Sequence, residues 1–142
     1  MRMRFVFTAP ARFIEGVFLG ESSKRNRRAL LGRLGERMAE SFLEMTGHVI
    51  LSRNLIVDRH EIDLLAREGD CLVLVEVRMR SGRSFGTSLD SMHPGKLRRL
   101  HSAMQRVQCR MHWNGEMRLD LITIDGCPEG GQLQLEHYRG IA

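Results

Sequence analysis

A chain of 142 residues with 42% hydrophobic and 27% charged content reads as one globular domain, long enough to bury a core without disulfides. Three scattered cysteines (Cys71, Cys109, Cys127) without a Cys-x-x-Cys pair, and six histidines without a His-x-x-x-His, exclude a disulfide framework and argue against a zinc site; free thiols suit a reducing cytoplasm. The net charge of +5 is local, because residues 1–32 hold seven basic and two acidic side chains while the rest balance at fifteen of each, so the high pI says little about the folded surface.

Residues 1–28 read as a basic, poorly ordered N-terminal extension. Its apolar residues, among them Phe5, Phe7, Phe13 and Val17, are interrupted by Pro10, Arg12 and Glu15. That pattern is too broken to span a bilayer or to act as a signal peptide. The sharper alternative is a basic arm that grips phosphates. Residues 29–142 then form a single domain.

A first helix is predicted over 29–45, where Leu31, Leu34, Met38, Phe42 and Met45 recur three or four apart, with Gly47 as terminator. Strands follow at 48–57 and 61–66, joined by a tight turn at Asp58-Arg59. Glu68-Gly69-Asp70 makes a hairpin turn into 71–79, whose run Leu72-Val73-Leu74-Val75 is apolar on both faces and therefore central. Residues 80–92 form a Gly/Ser-rich loop. Pro94 opens a second helix striped by Leu97, Leu100, Met104, Val107 and Met111. Strands at 117–124 and 132–137 complete the chain, the last one at an edge. A strand, helix and strand in that order make a crossover, so 71–79 and 117–124 should be parallel. The class is α/β, with a mixed central sheet flanked by helices on both faces.

Chemistry concentrates in Glu61-Ile62-Asp63 and Glu76-Val77-Arg78, where otherwise apolar strands carry acidic residues. Strand residues two apart share a face, which groups Glu61 with Asp63, and Glu76 with Arg78 and Arg80. If the strands pair, three carboxylates and a guanidinium meet at one end of the sheet, near the carboxyl end of the central strand, where open α/β sheets bind ligands. Carboxylates so placed are costly unless a cation compensates, and carboxylates with a backbone carbonyl are the hard oxygen donors that Mg²⁺ or Mn²⁺ prefers. The bland alternative is a buried ion-pair network of Arg78 and Arg80 with Asp63 and Glu76.

With these residues the chain resembles the PD-(D/E)XK nuclease superfamily, in the pattern Asp63…Glu76-Val77-Arg78. More narrowly it resembles the YraN family of endonuclease-like proteins. The match runs through Gly35-Glu36 with Ala39, Arg53-Asn54, Glu61-Ile62-Asp63-Leu64 and Leu74-Val75-Glu76-Val77. It continues through Phe85-Gly86, Lys96 with Arg99-Leu100, and Arg118-Leu119-Asp120. The ordered set covers about residues 29–125 and is far more specific than a lone D…ExK.

The resemblance implies a restriction-endonuclease-like three-layer α/β/α core and a metal-dependent nuclease hydrolysing phosphodiester bonds in DNA, branched or single-stranded forms included. Asp63 and Glu76 would hold Mg²⁺ or Mn²⁺ with the Val77 backbone and Glu61, while Glu36 supports the metal or its waters. Arg78 would position water and phosphate, and Arg80, Arg83, Lys96 and Arg99 would contact nucleic acid. The expected partner is nucleic acid, DNA foremost, with no membrane; a homodimer is compatible with this reading.

Two departures matter. Arg78 stands where the family has Lys, and His60 where it has Gly. Arginine stays protonated at any working pH and cannot act as a general base. The rival reading is therefore a nuclease fold that binds nucleic acid without cutting it, and a third is a protein-interaction domain. Glu36, Glu40 and Glu44, four apart and interleaved with Arg33 and Arg37, otherwise read as a solvated helix face. Arg118 with Asp120 reads as a structural ion pair, Trp113 as packing, and His60 as a turn residue.

Overall fold

The computed structural model describes residues 2–8, 24–81, 92–127 and 132–141. Six strands form one sheet: β1 (Arg2–Thr8), β2 (Val49–Val57), β3 (His60–Glu68), β4 (Cys71–Ser81), β5 (Glu116–Cys127) and β6 (Gln132–Tyr138). Two helices, α1 (Lys24–Met45) and α2 (Pro94–Met111), complete the described elements. The sheet order is β1-β6-β5-β4-β3-β2. β4 and β5, joined through α2, are parallel, and every other neighbouring pair is antiparallel.

The faces of β4 explain the layers. Val73 and Val75 pack with Ala39, Phe42 and Leu43 of α1, whereas Leu72 and Leu74 pack with Leu100, Ala103 and Val107 of α2. A strand apolar on both faces needs a helix on each side, and the three-layer α/β/α arrangement follows. α1 lies close against β4 at Gly35, where an added Cβ would stand 3.0 Å from the Cβ of Met79. α1 ends as its sequence predicts. Gly47 adopts φ 90°, its N–H donates to the Glu44 carbonyl, and the His48 N–H donates to the Leu43 carbonyl at 2.9 Å.

The N-terminal reading needs correction. Residues 2–8, expected within a poorly ordered extension, form strand β1 against β6, and α1 begins at Lys24 rather than at 29. Hence β6, expected at an edge, is an interior strand. Alternation alone missed β1 because its basic residues are neutralised from across the ladder. The Arg2 and Arg4 guanidinium groups reach the buried Glu136 carboxylate at 2.8 and 2.9 Å, and Arg2 also lies over the Tyr138 ring. Those two arginines face an acidic partner in the same chain.

Candidate functional site

The acidic cluster forms where the sheet loosens. The β3–β4 ladder stops at Leu64 opposite Val75. On the other side, the β2–β3 ladder passes from Arg53 opposite Leu64 to Leu55 opposite Ile62, with Asn54 in a left-handed conformation (φ 48°) between them. Asp63 thus lies at an interruption on both of its edges. Alternation breaks there too, since Ile62 and Leu65, three apart, pack on the same α2 side. Freed from the ladder, Asp63 turns its carboxylate toward β4 and accepts the Val77 N–H at 2.8 Å.

The remaining carboxylates are distributed around Asp63. Glu76 follows Leu74 onto the α2 side and is buried, with Lys96 Nζ 3.0 Å and Arg78 Nε 3.5 Å from its Oε1. Glu36 and Glu61 meet at Asn54, whose side-chain amide, in the orientation that satisfies both carboxylates, places its nitrogen 3.3 Å from Glu36 Oε2 and 3.2 Å from Glu61 Oε1. Burial, then the neighbouring Glu76, pushes the Asp63 carboxyl up to about 7, with smaller contributions from Glu36 and Glu61. Burial likewise raises Glu36, while its hydrogen bond to Asn54 opposes the rise.

Strand parity alone had brought Glu61, Asp63 and Glu76 to a single point. Among the described residues, no three carboxylate, imidazole or thiolate groups converge closely enough to hold a metal ion. The ladder break is the physical reason, because it places Glu61 with Glu36 and Asn54 while Glu76 faces α2. What remains for a cation is Asp63 with Glu76, beside the Val77 backbone. An extended residue sends its N–H and C=O toward the same neighbouring strand, so Val77 faces the gap with both groups. The donor set is all hard oxygen, and burial with the neighbouring Glu76 raises the Asp63 carboxyl, a cost that a bound cation would relieve. Both properties fit Mg²⁺ or Mn²⁺.

The expected nucleic-acid contacts are less closely grouped. Lys96 is drawn into the site by Glu76, from the first turn of α2, where the His93 ring accepts the Lys96 N–H. Arg80 continues the Glu76 side of β4 and is part-buried, whereas Arg99 is exposed on α2. Arg83 lies outside the described residues. Glu40, expected on a solvated face, pairs with Arg53 of β2. That bond ties α1 to the strand that carries Asn54.

A second charged group at the far end of the α1 side was legible only in part. Arg118 and Asp120 form the expected ion pair, bidentate at 2.7 and 2.9 Å. They belong to a larger network in which Arg118 and Arg139 share Glu68, and the His137 ring lies 2.8 Å from Asp120. Burial alone would raise Asp120, but His137, Arg118 and the Gly140 N–H bring it down to about 2. His137 and His48 sit in the core beside Phe42. Trp113 packs against the α2 cluster, and its indole N–H donates to the Glu116 carbonyl. Cys71 and Cys109 are free thiols. No helix among the described residues is long and apolar enough to cross a membrane.

Comparison with known proteins gives a family and several relatives. Its residues 35–124 match "Uncharacterised protein family UPF0102". A UPF0102 protein of Pseudarthrobacter chlorophenolicus is 37% identical over 117 residues, covering 80% of this chain and 86% of the relative. One from Pelotomaculum thermopropionicum is 39% identical over 112 residues, 78% and 93% of the two chains. Another from Streptomyces coelicolor is 35% identical over 127 residues, 87% and 96% of the two chains. The chain belongs to the uncharacterised protein family UPF0102, the YraN family that its motifs resemble.

Proposed function

We propose that this protein is a metal-dependent nuclease that hydrolyses phosphodiester bonds in DNA. The observation that carries the reading is Asp63 and Glu76 on adjoining strands at the ladder break, with Lys96 and Arg78 against Glu76. Asp63 and Glu76 would bind Mg²⁺ or Mn²⁺ directly, and Glu36 and Glu61 would hold its waters. Bound there, the ion supplies charge neutralisation at the phosphate and a more acidic water. The Val77 N–H fixes the Asp63 carboxylate toward β4. Arg78 and Lys96 orient the phosphate and stabilise its developing charge. Arg80, Arg83 and Arg99 are proposed to contact the nucleic-acid backbone, and a cytoplasmic location belongs to the same reading.

Arg78 itself favours a second reading, a nuclease fold that binds nucleic acid without cutting it, because a guanidinium cannot accept the proton of an attacking water. A Mg²⁺ or Mn²⁺ nuclease assay on single-stranded, duplex and branched DNA separates the two. Cleavage abolished by Asp63→Ala and by Glu76→Ala is the result expected of the first reading. Cleavage that survives both substitutions overturns the site. Salt-sensitive binding without cleavage selects the second reading.

A further inference from the structure

Two cations of the cluster lie against one of its carboxylates, Glu76. Glu76, only 6% exposed, has both a lysine and an arginine against it. Asp63 has a backbone N–H. Of the two cations, Lys96 is nearer, at 3.0 Å, and Arg78 Nε at 3.5 Å makes no hydrogen bond. Lys96 is also about one quarter exposed and stands in the first turn of a helix that has no acidic residue there. The Lys96 side chain therefore meets Glu76 while remaining partly open to solvent. Of 22 basic Lys and Arg residues, only Lys24 and Lys96 are lysines. At this position the chain has a compact point charge on a flexible stem, not a planar fork.

We infer that Lys96 is a built-in cation that occupies Glu76 until a divalent ion displaces it, so that metal entry releases the ammonium toward a phosphate. The inference rests on the metal-site reading above and adds an order of events to it. An ammonium and a divalent ion compete for Glu76 Oε1, because their mutual repulsion in a part-buried site is strong. The displaced side chain remains anchored on α2, and its exposed side gives it an outlet at the mouth of the site. Metal binding thereby produces a free cation where an anionic backbone would lie. Metal and nucleic acid should bind with positive coupling, and Lys96 should oppose the metal when nucleic acid is absent.

The test uses the full chain without nucleic acid. With ¹³C,¹⁵N-lysine labelling, two side-chain signals report Lys24 and Lys96. Saturating Mg²⁺ should shift the Lys96 signal and leave Lys24 unchanged. By calorimetry, Lys96→Met should bind Mn²⁺ about tenfold more tightly than the parent chain, the scale expected on removing a charge-assisted competitor. Arg98→Met, which removes an exposed charge from the same helix without freeing Glu76, should stay within about twofold of the parent. Metal bound by the parent with a static Lys96 signal, or equal Mn²⁺ affinity in Lys96→Met, overturns the inference and leaves the metal site standing. Tightening by Arg98→Met equal to that by Lys96→Met also overturns it, as a general charge effect. If neither parent nor Lys96→Met binds Mn²⁺, the metal site falls together with it. Lys96→Gln repeats the comparison should the methionine variant melt earlier than the parent.

Discussion

The Val77 N–H donates to the Asp63 carboxylate at 2.8 Å, in a place where a continued β3–β4 ladder would have paired Val77 with the backbone of Ile62. This one substitution of side chain for main chain opens the sheet and holds a carboxylate in the opening. It also makes Asp63 costly, since burial and Glu76 oppose its ionisation.

Asp63→Asn should therefore stabilise the fold while removing metal binding. The amide oxygen still accepts the Val77 N–H, and no charge has to be buried. In the unfolded chain Asp63 ionises from about 3.8, while the folded chain keeps its proton until about 7. Protons are then bound more tightly by the folded state, and the contribution of Asp63 to stability falls as pH rises between those values. The Tm difference between Asp63→Asn and the parent should be near zero at pH 4, grow up to about pH 7 and level off above it. At pH 8 the variant should melt a few degrees higher, roughly what about 1 kcal/mol gives a chain of this size. A variant that melts lower at pH 8 contradicts this account.

The opposite sign applies to Asp120 and Glu136, both brought down to about 2 despite burial. Their stabilisation is complete above the unfolded values of 3.8 and 4.5 and is lost as pH falls toward 2. Asp120→Ala leaves Arg118 and His137 without their buried partner and should cost about 3–5 kcal/mol by urea denaturation at pH 7. The variant should also lose much of the acid sensitivity that the parent shows below pH 4.

Strand β1 is held from one side. Glu136 accepts from Arg2, Arg4, Gln134 and the Tyr138 hydroxyl, so its loss strands several donors at once. Glu136→Ala should cost about 1–3 kcal/mol. Arg4→Ala removes one half-exposed end of the same set and should cost less than about 1 kcal/mol. Equal losses in the two variants would mean that the strand is held by its backbone ladder and not by this carboxylate.

Gly35 sets the height of Glu36 above the sheet. A Cβ at position 35 meets Met79 Cβ at 3.0 Å, and that atom is fixed to the strand, so the helix has to move. Gly35→Ala should cost about 1–3 kcal/mol and weaken Mn²⁺ binding, whereas Gly32→Ala, with open space around it, should leave metal affinity unchanged and raise helix stability slightly.

Arg78→Lys addresses catalysis directly. Lysine at this position adds a second titratable amine beside Glu76, next to Lys96, whereas the guanidinium does not give up its proton. Single-turnover cleavage should rise at least about tenfold, with a pH profile that differs from the parent's. No change in rate would place the limiting step elsewhere.

Much of this architecture was written locally. The stripe Leu97, Leu100, Met104 and Val107 defined α2, and the run Leu72-Val73-Leu74-Val75 defined the central strand with a helix on each side, because burial periodicity depends on near neighbours. Features set by distant partners were not legible. Arg2 and Arg4 looked like a solvated arm because Glu136 lies more than 130 positions away. Strand parity placed Glu61 with Asp63 and Glu76, since nothing in those residues announces a ladder break. Its signal lies in β2, in the left-handed Asn54. Arg118 with Asp120 was readable as a pair two residues apart, but Glu68 and His137 join them only after folding.

β3 carries Asp63 near one end and Glu68 at the other, with Leu64, Leu65 and Ala66 buried between them. Each end is matched to a fixed partner, the Val77 N–H at the first and Arg118 with Arg139 at the second. A slip of β3 by one residue would break both matches at once and turn the intervening apolar residues to the wrong side. The strand is thus pinned at two points, like a ruler held at both ends, and the position of Asp63 is set as much by an ion pair across the sheet as by its own neighbours.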